Sequence, residues 1–296
     1  MISRRHLLAG ASAMALAPLT SVCQASSELS SFTGQAVFDR LIAKATAEGW
    51  HKLPVGELMG RLGQELLGTP YVAHTLELDD TKEFCTVNLD GLDCVTFFES
   101  CFAMARILRA AETNSATPGA MLDAVRVTRY RGGKQEGYTS RLHYTTDWIF
   151  DNVRRGNVRD LAAALPGAEP FTQQVGIMSA KPEAYRQLNA HREWLPEVRR
   201  IEDAINARPK MFIPMAKIAA IEPLLQSGDI IGIATNIAGI DISHTGLCLK
   251  DGEGVARFMD ASSAPSRMKV TLEQGPLHEA VSRSARNTGI VVARPV

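Results

Sequence analysis

The chain has 296 residues and a formal net charge of zero, with 32 basic and 32 acidic side chains. Its 45% hydrophobic and 22% charged residues are ordinary for a globular protein and provide enough apolar material for a sizeable core. The balanced charge gives no reason to expect binding to nucleic acid or to an anionic membrane surface. Length alone allows one large domain or two small ones.

The first 25 residues are predicted to be an export signal rather than part of the fold. The pair Arg4-Arg5 precedes an apolar stretch, 9–20, that is too short to span a membrane, and Cys23-Gln24-Ala25 offers small residues for a signal peptidase. The paired arginines, followed by two leucines, are typical of a twin-arginine signal, which predicts an exported, periplasmic protein. Lipidation of Cys23 is a less favoured alternative, because a valine is a poor residue before such a site. No later stretch is long and apolar enough to cross a bilayer.

Helices and short extended pieces are predicted before the first informative motif. Residues 35–67 carry two helical runs, the second beginning near Pro54, and residues 71–73 and 84–87 are short extended pieces. From Cys94 to Ala111 the apolar positions follow the 3.6-residue period of a helix, with charge only at Glu99 and two arginines.

The predicted helix begins at a cysteine, directly after the turn at Asp90-Gly91-Leu92-Asp93. The helix dipole and the free N–H groups of a first turn favour thiolate over thiol. Cys94 is therefore a candidate nucleophile. The alternative is a small buried hydrophobe, as a lone cysteine usually is.

Further downstream, Leu122 to Tyr130 alternates like a strand, and helix candidates cover 145–154 and 183–204 of a polar, irregular region. Basic residues cluster around the first of these segments and are interpreted as a solvated face: Arg126, Arg129, Arg131 and Lys134.

Three strands are predicted near the end of the chain, over 230–234, 243–250 and 255–260, with a hairpin turn at 251–254. The second strand carries His244, and Asp260 ends the third, so the two can be neighbours across the hairpin. An imidazole can hold the proton of a thiol, and a carboxylate can fix its tautomer. The alternatives are a structural histidine and a carboxylate that caps the following turn.

A helix that delivers a cysteine, followed by a small antiparallel sheet that delivers a histidine, predicts an α+β cysteine hydrolase. We expect a single catalytic domain over 26–296, with 112–225 as an insertion on that core. No cofactor is expected, and a metal site formed by Cys94, His143 and His244 is disfavoured because nothing in the spacing requires it.

Four cysteines follow the predicted signal, and an even number in an exported protein permits disulfides. There is no CxxC pair, however, and the spacing matches neither a disulfide framework nor a zinc site. Cys101 and Cys248 are interpreted as small buried hydrophobes, whereas Cys85 has no assigned place.

Four motifs occur in the order seen in the NlpC-type cell-wall cysteine peptidases, which the chain resembles over roughly 55–270. They are Gly68-Thr69-Pro70-Tyr71, Leu92-Asp93-Cys94-Val95-Thr96-Phe97, Ser243-His244-Thr245-Gly246-Leu247 and Phe258-Met259-Asp260-Ala261-Ser262-Ser263. The run from Leu89 to Phe97 is similar to the N-acetylmuramoyl-L-alanine amidase-like branch, which also has an insertion resembling Tyr130 to Ile149. The resemblance implies a compact papain-like core.

The resemblance also implies roles for individual residues. Cys94 would be the nucleophile, His244 the base and Asp260 the third polar residue, where many relatives have histidine, asparagine or glutamine. Tyr71 matches a tyrosine beside the nucleophile, whose hydroxyl could help the Cys94 N–H to stabilise an oxyanion. Its alternative is plain packing.

Substrate binding is expected from a polar and aromatic cluster in the insertion, which suits a glycan or a muropeptide. The candidates are Arg141, His143, Tyr144, Asp147 and Trp148, together with Asp93 and Ser243 beside the catalytic residues. The alternative is a satisfied surface network. The favoured activity is N-acetylmuramoyl-L-alanine amidase on peptidoglycan or soluble muropeptides. A stem-peptide endopeptidase, an acyltransferase on the same core and a non-catalytic muropeptide-binding protein remain open.

Overall fold

The computed structural model describes residues 29–110 and 116–296, so the predicted export signal lies outside the described residues. At its centre is an antiparallel sheet with the strand order β4-β5-β10-β6-β7-β8-β9, and β3 also pairs with β10. These strands are β3 (Val158–Asp160), β4 (Glu169–Pro170), β5 (Met211–Pro214), β6 (Ile230–Thr235), β7 (Ile242–Lys250), β8 (Ala256–Ser262), β9 (Lys269–Leu272) and β10 (Asn287–Pro295). A separate parallel pair joins β1 (Ser30–Thr33) to β2 (Cys85–Asn88).

Helices cover both faces of the sheet. They are α1 (Gln35–Ala47), α2 (Val55–Glu65), α3 (Cys94–Ala110), α4 (Pro118–Arg129), α5 (Thr145–Arg154), α6 (Ile177–Ala180), α7 (Arg186–Ala190), α8 (Leu195–Asn206), α9 (Ile218–Ile221) and α10 (Leu277–Val281). Among the described residues, no helix combines the length and apolarity needed to cross a membrane. The structure is therefore a mixed α/β architecture of helices around an antiparallel sheet.

Alternating residues of the central strands face two different cores, as the two-residue period of a strand requires. Ile230, Leu247 and Met259 join the larger core, to which α2, α3 and α4 contribute, whereas their neighbours Ile231 and Cys248 lie in a second core with α9 and α10. Helix α3 is apolar on nearly all sides and lies in the middle of the larger core. A helix of that kind is stable only when it is buried.

The strand predicted over 122–130 is wrong, because this segment belongs to α4. Thr117 caps the helix by accepting a hydrogen bond from the Ala120 N–H, and Pro118 occupies its first turn. Met121 and Val125, one helical turn apart, are completely buried in the larger core. A short run of alternating residues also fits a helix, and packing against α3 decides between the two.

The long helix predicted over 183–204 is broken into α7 and α8, with a non-helical residue, His191, at the break. Pro196 lies in the first turn of α8, where its missing N–H and fixed φ are tolerated, but it could not continue a helix from α7. The sheet is also larger than the three strands that the sequence predicts. The segment 112–225 supplies β3, β4 and β5, and the chain end inserts β10 between β5 and β6.

Candidate active site

Cys94 is the first residue of α3, and its half-buried side chain lies at a helix N-terminus that is capped by side-chain hydrogen bonds. Asp93 Oδ1 accepts hydrogen bonds from the N–H groups of Val95 (3.0 Å) and Thr96 (2.7 Å), and the Thr96 hydroxyl accepts one from the Asp93 N–H (2.9 Å). This reciprocal cap uses the free donors on either side of the cysteine. Within the described residues, the Cys94 N–H itself has no hydrogen-bond partner. It is thus available to a ligand.

His244 lies on β7 directly after an irregularity in the sheet. His244 pairs with Ile233, but Ile242 pairs with Ala234, so Ser243 is an extra residue on β7. Such a bulge bends a strand and changes the direction of the neighbouring side chains. Ser243 itself is exposed, and its hydroxyl donates to the Ile233 carbonyl at 3.3 Å.

Asp260, on the adjacent strand β8, holds the imidazole. His244 Nε2 lies 2.7 Å from Asp260 Oδ2, and Thr271 donates to the other carboxylate oxygen at 3.3 Å. Gly246 lets β7 and β8 lie this close to each other, since a Cβ at residue 246 would lie 2.5 Å from the Met259 carbonyl oxygen and 2.7 Å from the Phe258 ring. With Nε2 directed at Asp260, Nδ1 is the nitrogen left for Cys94.

The charge of His244 is set by these neighbours. Burial lowers the pKa of His244, but hydrogen bonds with Asp260 and Cys94 and the negative charges of both outweigh burial and raise that pKa to about 10. The imidazole is therefore protonated at neutral pH. A positive imidazolium beside a sulfur stabilises the thiolate, which is the nucleophilic form.

Three further contacts fix the geometry around the cysteine. Thr245 donates to the Cys94 carbonyl at 2.9 Å and so ties β7 to the start of α3. Tyr71 forms an isolated parallel β-bridge with Leu92. Gly91 packs so closely on Val72 that a Cβ at residue 91 would lie 2.5 Å from the Val72 side chain. Burial and the negative charges of Cys94 and Asp93 raise the pKa of Tyr71, so its hydroxyl stays a hydrogen-bond donor.

A small pocket lies between α3 and the segment around His143. It has a volume of about 90 Å³ and is lined by Val95 and Phe98 of α3 and by three of the predicted binding residues, Arg141, His143 and Trp148. Arg141 is buried and ion-paired with Glu77 and Glu83, and Trp148 packs edge-on against Phe98, with ring centres 5.1 Å apart.

Tyr144 and Asp147 have partners within the protein and do not line this pocket. The Tyr144 hydroxyl donates to Glu202 at 2.6 Å, and Asp147 is buried between Arg131 and Arg208, at 2.7 and 2.5 Å. Asp93 likewise serves as a helix cap. Contact of these three side chains with a substrate stays a prediction.

A family model described as N-acetylmuramoyl-L-alanine amidase-like (AmiA-like) matches residues 61–288, well over half of the chain and a span that includes Tyr71, Cys94, His244 and Asp260. The chain belongs to the N-acetylmuramoyl-L-alanine amidase-like family.

Solved structures agree with this family assignment. An N-acetylmuramoyl-L-alanine amidase from Bacteroides uniformis is 34% identical, with a TM-score of 0.73, over 82% of this chain and 99% of that one. A protein described as a putative xylanase from Bacteroides fragilis is also 34% identical, with a TM-score of 0.69, over 78% and 98% of the two chains. A Legionella pneumophila protein that is 18% identical shares the fold, with a TM-score of 0.64, over 88% and 94%. No curated protein matches the chain.

Several residues that shape the site of this amidase-like protein were not predicted from its sequence. Thr245 and Thr271 support Cys94 and Asp260, and Glu99 and Arg129 form a buried ion pair at 2.8 Å that lines the small pocket. One available signal was Glu99 itself, the single acidic residue in a largely apolar helix. The interpretation of Arg129 as part of a solvated face is wrong, because α4 turns this residue into the core.

Cys85, Cys101 and Cys248 are free and buried in this amidase-like chain, and burial raises the pKa of each thiol, to about 11 for Cys85 and about 12 for Cys248. Cys94 differs in being half-buried and close to a cationic imidazole. In the described ranges, no group of three His, Cys, Asp or Glu side chains is arranged to hold a metal ion.

Proposed function

We propose that this protein is a cysteine amidase that cleaves the bond between the lactyl group of N-acetylmuramic acid and L-alanine in peptidoglycan fragments. The observation that carries the proposal is the arrangement of Cys94, His244 and Asp260. The thiol lies at a helix N-terminus, and the His244 imidazole lies 2.7 Å from the Asp260 carboxylate. The family assignment and the 34% identical amidase from Bacteroides uniformis support the choice of bond.

In the proposed mechanism, the Cys94 thiolate attacks the lactyl carbonyl carbon and forms a tetrahedral oxyanion. The Cys94 N–H and the Tyr71 hydroxyl donate hydrogen bonds to that oxygen. The His244 imidazolium gives its proton to the alanine nitrogen, the C–N bond breaks, and the peptide leaves with a free amine. The neutral imidazole then takes a proton from water, whose hydroxide cleaves the thioester to release the muramoyl carboxylate and restore the thiolate.

The fold and cellular location form part of the same proposal. A helix that presents a cysteine beside a histidine on an antiparallel sheet is the arrangement of a papain-like, NlpC-type core. An exported, periplasmic location follows from the twin-arginine-like signal predicted in residues 1–25. Together they would bring a thiol hydrolase to the compartment that contains peptidoglycan.

Product analysis tests the choice of bond. Purified protein lacking residues 1–25 is incubated with defined muropeptides, and the products are identified by mass spectrometry. We expect an intact stem peptide with a free L-alanine amine and the corresponding muramoyl sugar. A cut within the stem would indicate an endopeptidase, and transfer of the muramoyl group to an added amine would indicate an acyltransferase. Tight binding without any product would favour a binding protein.

Replacing Asp260 with asparagine is expected to narrow the pH range of activity on its alkaline side. The hydrogen bond and charge of Asp260 help to raise the pKa of His244 to about 10, so that pKa should fall in the variant. The imidazolium, which protonates the leaving amine, is then lost at lower pH. The measurement is kcat/KM from pH 6 to pH 11 for both proteins. An unchanged alkaline limb in D260N would contradict this role for Asp260.

A further inference from the structure

Asp241 is a buried carboxylate that the proposed mechanism does not use, and it lies immediately before β7, the strand that carries His244. Its side chain is only 2% exposed, and burial raises its pKa. Every hydrogen bond to the carboxylate comes from a neutral donor, and in the described ranges of the chain it forms no ion pair. Because a buried acid without a paired cation is costly, the contacts that it makes indicate its role.

The carboxylate of Asp241 joins the start of β7 to the start of α5. Its Oδ2 accepts hydrogen bonds from the Thr146 N–H at 3.0 Å and from the Thr146 hydroxyl at 2.6 Å. Thr146 is the second residue of α5, and Tyr144, at the N-cap position, offers this helix no side-chain hydrogen bond. The first turn of a helix has free N–H groups and favours a negative charge. Asp241 therefore caps α5 from a position 95 residues away.

Two more hydrogen bonds of Asp241 fix the backbone where the β7 bulge begins. Its Oδ1 accepts from the Ile242 N–H at 2.8 Å, and its carbonyl accepts from the Thr235 N–H of β6 at 3.2 Å. The extra residue Ser243 follows at once, and His244 comes next. A bulge interrupts the ladder of hydrogen bonds, so contacts on either side of it must hold the strand in register. Asp241 supplies that contact on the side before the bulge.

The segment after the bulge and helix α5 are both fixed to α3, the helix that presents the nucleophile. Thr245 donates to the Cys94 carbonyl at 2.9 Å. Trp148 of α5 packs edge-on against Phe98 of α3, with ring centres 5.1 Å apart. The bulged part of β7 is thus held at both ends against elements that pack on one another. Loss of the anchor at Asp241 would release one of those ends, and the catalytic histidine lies only three residues along the strand, about 10 Å away.

We infer that Asp241 is a positioning residue, which holds the bulged start of β7 against α5 so that His244 faces Cys94. It acts through the histidine and not on the substrate, and its effect on turnover rests on the proposed function. D241A should react with iodoacetamide at Cys94 roughly tenfold more slowly at pH 7, because a displaced imidazolium stabilises the thiolate less well. Amidase kcat should fall by roughly tenfold or more, with KM changed by less than about twofold, since a small misplacement of a catalytic group mainly slows the chemical step.

The experiment follows alkylation of the Cys94 peptide by mass spectrometry, in protein lacking residues 1–25, beside urea denaturation and steady-state kinetics. T117A is the matched control, because it removes the side-chain cap of α4 and should lower the urea midpoint without slowing alkylation.

T146V keeps the N–H bond to Asp241 and loses the hydroxyl bond, so its alkylation rate should lie between those of D241A and the wild type. If D241A does not fold, T146V decides. Wild-type alkylation in a folded D241A, or in T146V when D241A does not fold, would overturn the inference. An equal slowing in T117A would also overturn it, since general destabilisation would then explain the effect. A wild type that is alkylated at Cys94 but cleaves no muropeptide would refute the proposed function alone, because the alkylation rates need no substrate.

Discussion

Replacement of Cys94 by alanine or by serine is expected to reduce amidase turnover by roughly 10⁴-fold or more, the scale seen when a catalytic nucleophile is removed. Serine tests the mechanism more sharply than alanine does. Its hydroxyl is similar in size to the thiol, but it stays neutral beside the His244 imidazolium and is therefore a poor nucleophile. The readout is the rate of free L-alanine amine release from a muropeptide. Turnover in C94A near the wild-type rate would exclude the proposed mechanism.

The fold of both variants should be unaffected, since the Cys94 side chain is half-buried and its removal leaves no sealed cavity. Urea denaturation should give free energies of unfolding within about 1 kcal/mol of the wild type. Alkylation gives an independent check in protein lacking residues 1–25. Iodoacetamide at pH 7 should modify Cys94 before the three buried cysteines, with activity lost in step. Equal modification of Cys94 and Cys85 would instead favour a binding protein whose thiol is incidental.

Replacement of Arg129 by methionine is expected to lower the free energy of unfolding by about 3–5 kcal/mol. Arg129 is buried, pairs with Glu99 at 2.8 Å and donates to the Thr86 carbonyl at 2.6 Å, so it joins α3, α4 and β2. Its loss would leave a carboxylate buried at the floor of the small pocket without its counter-ion. Urea denaturation at pH 7 measures the effect, and the exposed Arg199 of α8 provides a control that should change stability by less than about 0.5 kcal/mol.

A double variant separates the two contributions. R129M/E99L removes both charges and should recover most of the stability lost in R129M, because two apolar side chains replace a buried pair. R129M should also be less destabilised at pH 5 than at pH 8. Burial already raises the pKa of Glu99, and the loss of the arginine charge raises it further, so the folded state binds a proton that the unfolded state releases. A deficit that is small, or independent of pH, would mean that Glu99 finds another partner.

Elements with a strong local signal agree with their prediction from sequence. The start of α3 at Cys94 follows from a turn, a capping aspartate and a helical apolar period within a few residues of each other. The hairpin of β7 and β8 follows from two apolar runs around Asp251–Gly254. Elements with weak or mixed signals do not agree, as in α4, where a short alternating run fits both periods.

The pairing of groups that are distant in sequence could not be predicted from local patterns. That Arg129 is buried depends on α4 being a helix and on Glu99 facing it from α3. That Arg141 serves Glu77 and Glu83 depends on where the segment around residue 80 packs. No residue type or spacing within one segment carries that information, because each partner lies on another element.

The sequence alone determined which groups are candidates for the active site, since a cysteine at a helix N-terminus and a strand histidine are local features with local physical causes. Only the tertiary structure decided how those groups are arranged: the bulge at Ser243, the 2.7 Å contact of His244 with Asp260, and the pocket between α3 and the segment around His143. The physical reason is that a pKa and a pocket are produced by charges and walls from several elements. These come together only when the sheet and helices pack around a common core.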